Sequence, residues 1–443
     1  MYVSALELFR IGPGPSSSRT LGPQRAALRF VHALAADGVV GRTSRVDVHL
    51  FGSLALTGRE SATDHAVMAG LCGDAPERSD ARSLRARAAR VEAEGLVLGG
   101  RHPIAFDPAR NVRFHMGKAL AYDGNALRFD AFDPAGDPLA SRIYFTGGSG
   151  EVLDESEAQG GRMQARVAYP FASGETLLGA CRAHGKKLAD LARANELAFR
   201  SPDEVRAGLS HVALAMRASV QRGLSTHGAL PGGGLQRRAA DQLQALQSID
   251  GKPAQRCAVY ATAVAEENAA GGCVVTAPTH GAAGPVAALL EHWRGTSPLA
   301  SDERAQDFLL AAAAIGQAVQ AAGLRQAGCQ SVVGVGAAMA AAGYVAAEGG
   351  SALQVVHGAE RALEEHWGLA CDSEGGRVQQ PCIARNAAGA ACAIDAAQAA
   401  LRQPAPRIAI DALVRSMIET GRGMAARYKA DALSGVARNI ADC

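Results

Sequence analysis

Three cysteines, Cys329, Cys371 and Cys382, stand in the contexts Ala-Gly-Cys-Gln, Leu-Ala-Cys-Asp and Gln-Pro-Cys-Ile, and a fourth, Cys443, is the last residue of the chain. Four thiolates can hold an iron-sulfur cluster, and a cluster bound partly by a chain terminus can release one ligand and present an open iron to a substrate. Free cysteine is also one of the most commonly buried residue types, and nine in 443 residues is no great excess. Spacing alone therefore leaves ordinary core packing as the simpler account.

Other segments offer polar groups and close backbone approach. In Gly-Pro-Ser-Ser-Ser-Arg-Thr-Leu-Gly-Pro (14–23) a turn precedes a helix, so hydroxyls and backbone N–H groups could receive a carboxylate or phosphate. An ordinary N-cap in a serine-rich loop would read the same way. Residues 144–151, Tyr-Phe-Thr-Gly-Gly-Ser-Gly-Glu, could form an anion-cradling nest, but they fit neither the P-loop nor the dinucleotide fingerprint, and a hairpin turn accounts for them more simply. The run Val-Val-Thr-Ala-Pro-Thr-His-Gly-Ala-Ala-Gly (274–284) permits close approach to a ligand or, equally, a tight helix crossing.

Composition narrows what these residues could act on. The chain is 48% hydrophobic and 20% charged, which suits two or three folded domains. Its 45 basic and 43 acidic residues include no concentrated Lys/Arg run, so nothing points to nucleic acid or an anionic membrane, and a small molecule is the expected partner. An odd number of cysteines without a tight pair pattern argues against a disulfide scaffold and for a reducing, cytoplasmic setting. The N-terminus lacks a signal-peptide pattern. The apolar stretch 332–347 is short and rich in Gly and Ala, which predicts a buried helix rather than a membrane span.

The elements that must position these groups fall into two textures. Alternation over 45–56, and short runs at 112–114, 126–132 and 142–145, predict strands; 24–36 and 81–94 predict helices. Residues 1–170 therefore read as a mixed α/β domain. From 171 to 443 the Ala-rich segments 175–197, 201–222, 307–322 and 408–429 predict a mostly helical domain whose Gly/Pro interruptions gather loops at helix ends. The fold class expected is α+β.

Taken in order, six segments resemble the bacterial iron-sulfur L-serine dehydratases, also called L-serine ammonia-lyases, over nearly the whole chain. They are GPSSSRTLGP, FGSLALTGRESATDHA, EENAAGGCVVTAPTHGAAG, GCQSVVGVGAAMAAAG, HWGLACDSEGGRVQQPCIARNA and the ending SGVARNIADC. The resemblance implies a 4Fe-4S cluster, no pyridoxal phosphate, and a homodimer. It implies Cys329, Cys371 and Cys382 as cluster ligands, with Cys443 entering as a fourth until substrate displaces it. It also implies the reaction: iron assists departure of the β-hydroxyl, a base removes the α-proton, and the enamine becomes keto acid and ammonia, pyruvate in the case of serine. Ser16, Ser17 and Ser18 would help hold the substrate carboxylate, with Thr63, Asp64, Thr279 and His366 in matching site segments.

Several positions depart from the family pattern inside these motifs. The family's SSSH ends here in Arg19, a permanent cation that binds anions but is a poor base. Its TGKGH ends in Ser61, its APTN in His280, its GCQGE reads Gly-Cys-Gln-Ser-Val, and its CIER reads Cys-Ile-Ala-Arg. His280 is the first candidate for the general base, since imidazole titrates near neutral pH, and Glu60 the second. The exchanges leave open a relative that eliminates from another β-substituted amino acid, with a second anionic group answered by Arg19, or a cluster-bearing protein or sensor without turnover.

Overall fold

A computed structural model describes residues 2–120, 122, 125–160, 165–232, 234–247, 251–323, 328–370, 380–402 and 408–425. The architecture is α+β. In the N-terminal half a five-stranded sheet runs in the order Val112–Phe114, Arg45–Leu50, Ala126–Phe132, Pro138–Thr146, Val152–Asp154. The first pair is parallel and the others antiparallel. Alternation puts Val46, Val48, Leu50, Leu127, Phe129 and Ala131 on one face, where they share a core with the helices Gly22–Ala36 and Thr63–Leu71. The predicted strand over 45–56 ends early: Gly52, at φ +60°, turns the chain into the helix Ser53–Thr57. Only glycine adopts that conformation without steric cost, so the apolar run past Leu50 is helical.

The other half is helical. At its centre lies the helix Val333–Ala347, in which every residue except Ala346 is buried. Its small residues let neighbours approach closely: Gly343 faces the Phe308 ring and Gly334 faces His366, so that an added Cβ at either would collide. Helices Ala283–Thr296, Asp302–Ala321, Ala352–Glu364 and Gln380–Arg402 surround it, and Pro253–Ala269 packs on the first and last of these. The stretch expected as one helix over 175–197 is two, Gly174–His184 and Leu188–Glu196, because Gly185 takes the left-handed conformation (φ +59°) that closes the first. The expected helix over 408–429 runs Ile410–Gly423, and its last predicted residues lie outside those described.

One connection positions everything that follows. Ala5, Leu8, Phe9 and Ile11 are buried in the core of the helical half, and the strand Ile11–Pro13 pairs antiparallel with Cys273–Val275. Arg10 N donates to Thr276 Oγ1 at 2.8 Å, and Thr276 Oγ1 donates to Leu8 O at 2.6 Å. The chain thus leaves the helical core beside residue 275 and immediately forms the serine turn. Ser16–Arg19 and Thr276–His280 are neighbours because these two short strands pair.

Candidate active site

The serine turn is a π-helical turn, Ser17–Leu21, capped by Ser16, whose Oγ accepts from Arg19 N at 3.2 Å. The N-cap reading of this serine is therefore observed. Ser17 Oγ donates to Gly148 O at 2.5 Å and accepts from the backbone N–H of His280 at 3.3 Å, so one hydroxyl touches both halves of the molecule. Ser16 Oγ and Ser18 Oγ lie 3.5 Å apart, and Ser18 O accepts from Thr146 Oγ1 at 2.9 Å. Arg19 Nη1 donates to Thr57 Oγ1 at 3.3 Å, Thr63 Oγ1 to Arg19 O at 2.5 Å, and Thr20 Oγ1 to Ser61 O at 2.8 Å. These bonds fasten the turn 57–63 to the serine turn.

The glycine-rich segment 147–150 is the hairpin turn between Pro138–Thr146 and Val152–Asp154, and its donors are engaged internally. Ser149 N and Oγ both donate to Glu151 Oε2, at 2.9 and 2.5 Å. Burial pushes this carboxyl up, but the Ser149 hydrogen bonds and the Arg10 cation outweigh it and hold it below the usual carboxylate range. The nest is filled by the protein's own anion.

His280 opens a short 3-10 turn, His280–Ala282, ahead of the helix Ala283–Thr296. It is 1% exposed, and neither ring nitrogen has a hydrogen-bond partner among the described residues. Burial drives its pKa down to about 3, so the imidazole is neutral at physiological pH. Ser61 Oγ is likewise buried and unpartnered there. Buried polar atoms are normally bonded, and these two orphaned groups lie on segments bonded to the serine turn. Thr279 is half-buried and its carbonyl accepts from Ala282 N at 3.2 Å. Asp64 Oδ1 accepts from His65 N at 3.0 Å, and Glu60 is exposed.

The helices that carry or follow Cys329 and Cys382 touch the His280–Ala282 turn. Cys329 sits in a 3-10 turn, Gly328–Ser331, leading into Val333–Ala347, and Cys382 in the first turn of Gln380–Arg402. Cys371 and Cys443 lie outside the described residues. Three residues that the sequence reading had not singled out connect these helix starts. Asn386 Nδ2 donates to Gly281 O at 2.8 Å and to Cys382 O at 3.0 Å, while its Oδ1 accepts from Gly284 N at 3.1 Å. Gln330 Oε1 accepts from Gly368 N at 3.0 Å, and its Nε2 donates to Met417 O at 2.9 Å. Arg385 Nη1 donates to Cys329 Sγ at 3.1 Å and to Ala370 O at 2.7 Å. Each follows a cysteine within four residues, inside the family-like segments GCQSVVGVGAAMAAAG and HWGLACDSEGGRVQQPCIARNA. His366 is buried, its Nδ1 bonded to Ala362 O at 2.8 Å and its imidazole pushed down by burial.

This donor set suits an iron-sulfur cluster. Cys329 and Cys382 both stand at helix starts, and the chain one residue before Cys371 is drawn to Cys329 by the Arg385 guanidinium they share. Among the described residues no group of three or more metal-binding side chains gathers, two of the four cysteines being outside them.

The chain is thus built in two parts, an α/β half and a helical half that meet where Ser17 of the serine turn bonds the backbone of His280. Residues 4–157 match the family model described as serine dehydratase beta chain, and residues 183–437 that described as serine dehydratase alpha chain. The chain is 40% identical to an L-serine dehydratase of Streptomyces coelicolor over 100% of both chains. It is 39% identical to L-serine dehydratase 1 of Escherichia coli over 99% of both, and 39% identical to an L-serine dehydratase of Mycobacterium tuberculosis over 100% of this chain and 99% of the other. The chain belongs to the serine dehydratase family, with the alpha and beta parts joined in one polypeptide.

Proposed function

We propose that this protein is an L-serine ammonia-lyase that converts L-serine to pyruvate and ammonia at the seam between residues 1–170 and 171–443, without pyridoxal phosphate. The observation that carries the reading is His280: a neutral, buried imidazole whose two ring nitrogens have no partner among the described residues, held by its backbone to Ser17 of the serine turn. Cys329, Cys371 and Cys382 would hold a 4Fe-4S cluster, with Cys443 as the displaceable fourth ligand. Bound there, the cluster would supply a Lewis-acidic iron that makes the β-hydroxyl a better leaving group.

The chain's own residues do the rest. Ser16, Ser17, Ser18 and Arg19 receive the substrate carboxylate, with Thr63 and Asp64 bracing the turn beneath them. A ring nitrogen of His280 takes the α-proton as hydroxide leaves the β-carbon, and Ser61, Thr279, Glu60 and His366 complete the surroundings. The resulting enamine tautomerises to an imine, which water hydrolyses to pyruvate and ammonia. A substrate carboxylate entering the seam supplies the negative charge that lets His280 hold a proton there, moving its pKa back toward the working range of a general base. Cytoplasmic location and a homodimer belong to the same reading, the first supported by an odd number of cysteines without a tight pair pattern and the second by the family resemblance.

Anaerobic reconstitution followed by keto-acid release across a panel of β-substituted amino acids tests the proposal. Pyruvate from L-serine is the expected result. Turnover only with an anionic β-substituent, or cluster binding without any turnover, would overturn it.

A further inference from the structure

We propose that Arg385 is a positioning residue for the cluster, a cationic donor that gathers the ligand-bearing segments and supports the sulfur of Cys329. This rests on the cluster reading above. One nitrogen, Nη1, serves two acceptors on different segments: Cys329 Sγ at 3.1 Å and Ala370 O at 2.7 Å. Arg385 itself follows Cys382 on the helix Gln380–Arg402. A single side chain therefore touches one proposed ligand, holds the peptide that enters a second, and shares a helical turn with a third.

The surroundings fix that placement. Asn386, the next residue, is bonded to Gly281 O, Cys382 O and Gly284 N, which sets the rotation of this helix turn. On the far side, Gln330 N donates to Leu369 O at 3.2 Å and Gly368 N to Gln330 Oε1 at 3.0 Å, so the segment before Cys371 is held against the Cys329 turn by its own bonds. Arg385 adds charge to that framework. A positive N–H donor on a ligating sulfur draws electron density from it, which stabilises the thiolate as a ligand, resists iron loss and raises the cluster's reduction potential. An uncharged replacement of similar length keeps the packing and loses those effects.

The test compares wild type, Arg385→Gln and Arg385→Lys after anaerobic reconstitution, reading iron and sulfide content, the rate of iron loss to a chelator and the midpoint potential. Wild type that takes up no cluster contradicts the cluster reading itself. If wild type loads, Arg385→Gln is expected to lose iron roughly 10- to 100-fold faster, the usual effect of removing a partner of a metal ligand. Its potential should also be more negative, with Arg385→Lys restoring most of both. Loss rates and potentials indistinguishable from wild type in Arg385→Gln would overturn the proposal. Should Arg385→Gln take up no iron, Arg385→Lys decides: uptake with a near-wild-type potential supports the donor role, and failure to load despite native circular dichroism contradicts it.

Discussion

His280 combines burial with two ring nitrogens that have no partner among the described residues. Burial holds its pKa near 3 against an ordinary 6.5, so the folded protein keeps it neutral while the unfolded chain takes up a proton below about pH 6.5. The unfolded state then binds more protons, and stability contributed by this group falls as pH drops from about 6.5 toward 3. His280→Gln should therefore flatten the acid side of a stability profile measured by denaturant titration at several pH values; an unchanged slope would mean that the imidazole is not desolvated. The sequence marked this residue through its place in the Thr-His-Gly motif. That it is buried could not be read there, because a turn carries no hydrophobic period.

At the scale of elements, the site depends on short turns ahead of long helices. Asn386 is the clearest joint, accepting from one backbone N–H and donating to two carbonyls across two helix starts. Asn386→Ala leaves these buried groups unpaired and should cost about 1–3 kcal/mol, read as a lower denaturation midpoint. Asn386→Asp keeps an acceptor for Gly284 N but turns a buried carboxylate oxygen toward the carbonyls of Gly281 and Cys382, and should lose at least as much; a smaller loss would show that the Gly284 bond carries the effect. Long helices such as Asp302–Ala321 were legible from periodicity, and the central apolar helix from its length and Gly/Ala content. The break at Gly185 and the early end of the strand at Leu50 were not, since each turns on one glycine taking a positive φ. Arg385, Gln330 and Asn386 escaped notice because most of their bonds go to backbone atoms, which no residue pattern announces.

For the molecule as a whole, the decisive contact is the pairing of Ile11–Pro13 with Cys273–Val275. Two three-residue strands so far apart in sequence carry no signal that one predicts the other, yet their pairing puts the serine turn against His280. The α+β division was legible from texture; the way the chain's first residues join the helical core was not. The proposal that both halves build one site is best tested by pyruvate release from L-serine by anaerobically reconstituted wild type and His280→Ala at matched iron content. A loss of roughly 10²- to 10⁴-fold in kcat, the usual contribution of a general base, is the predicted result. Equal rates at equal iron would contradict the account and assign proton removal to another group.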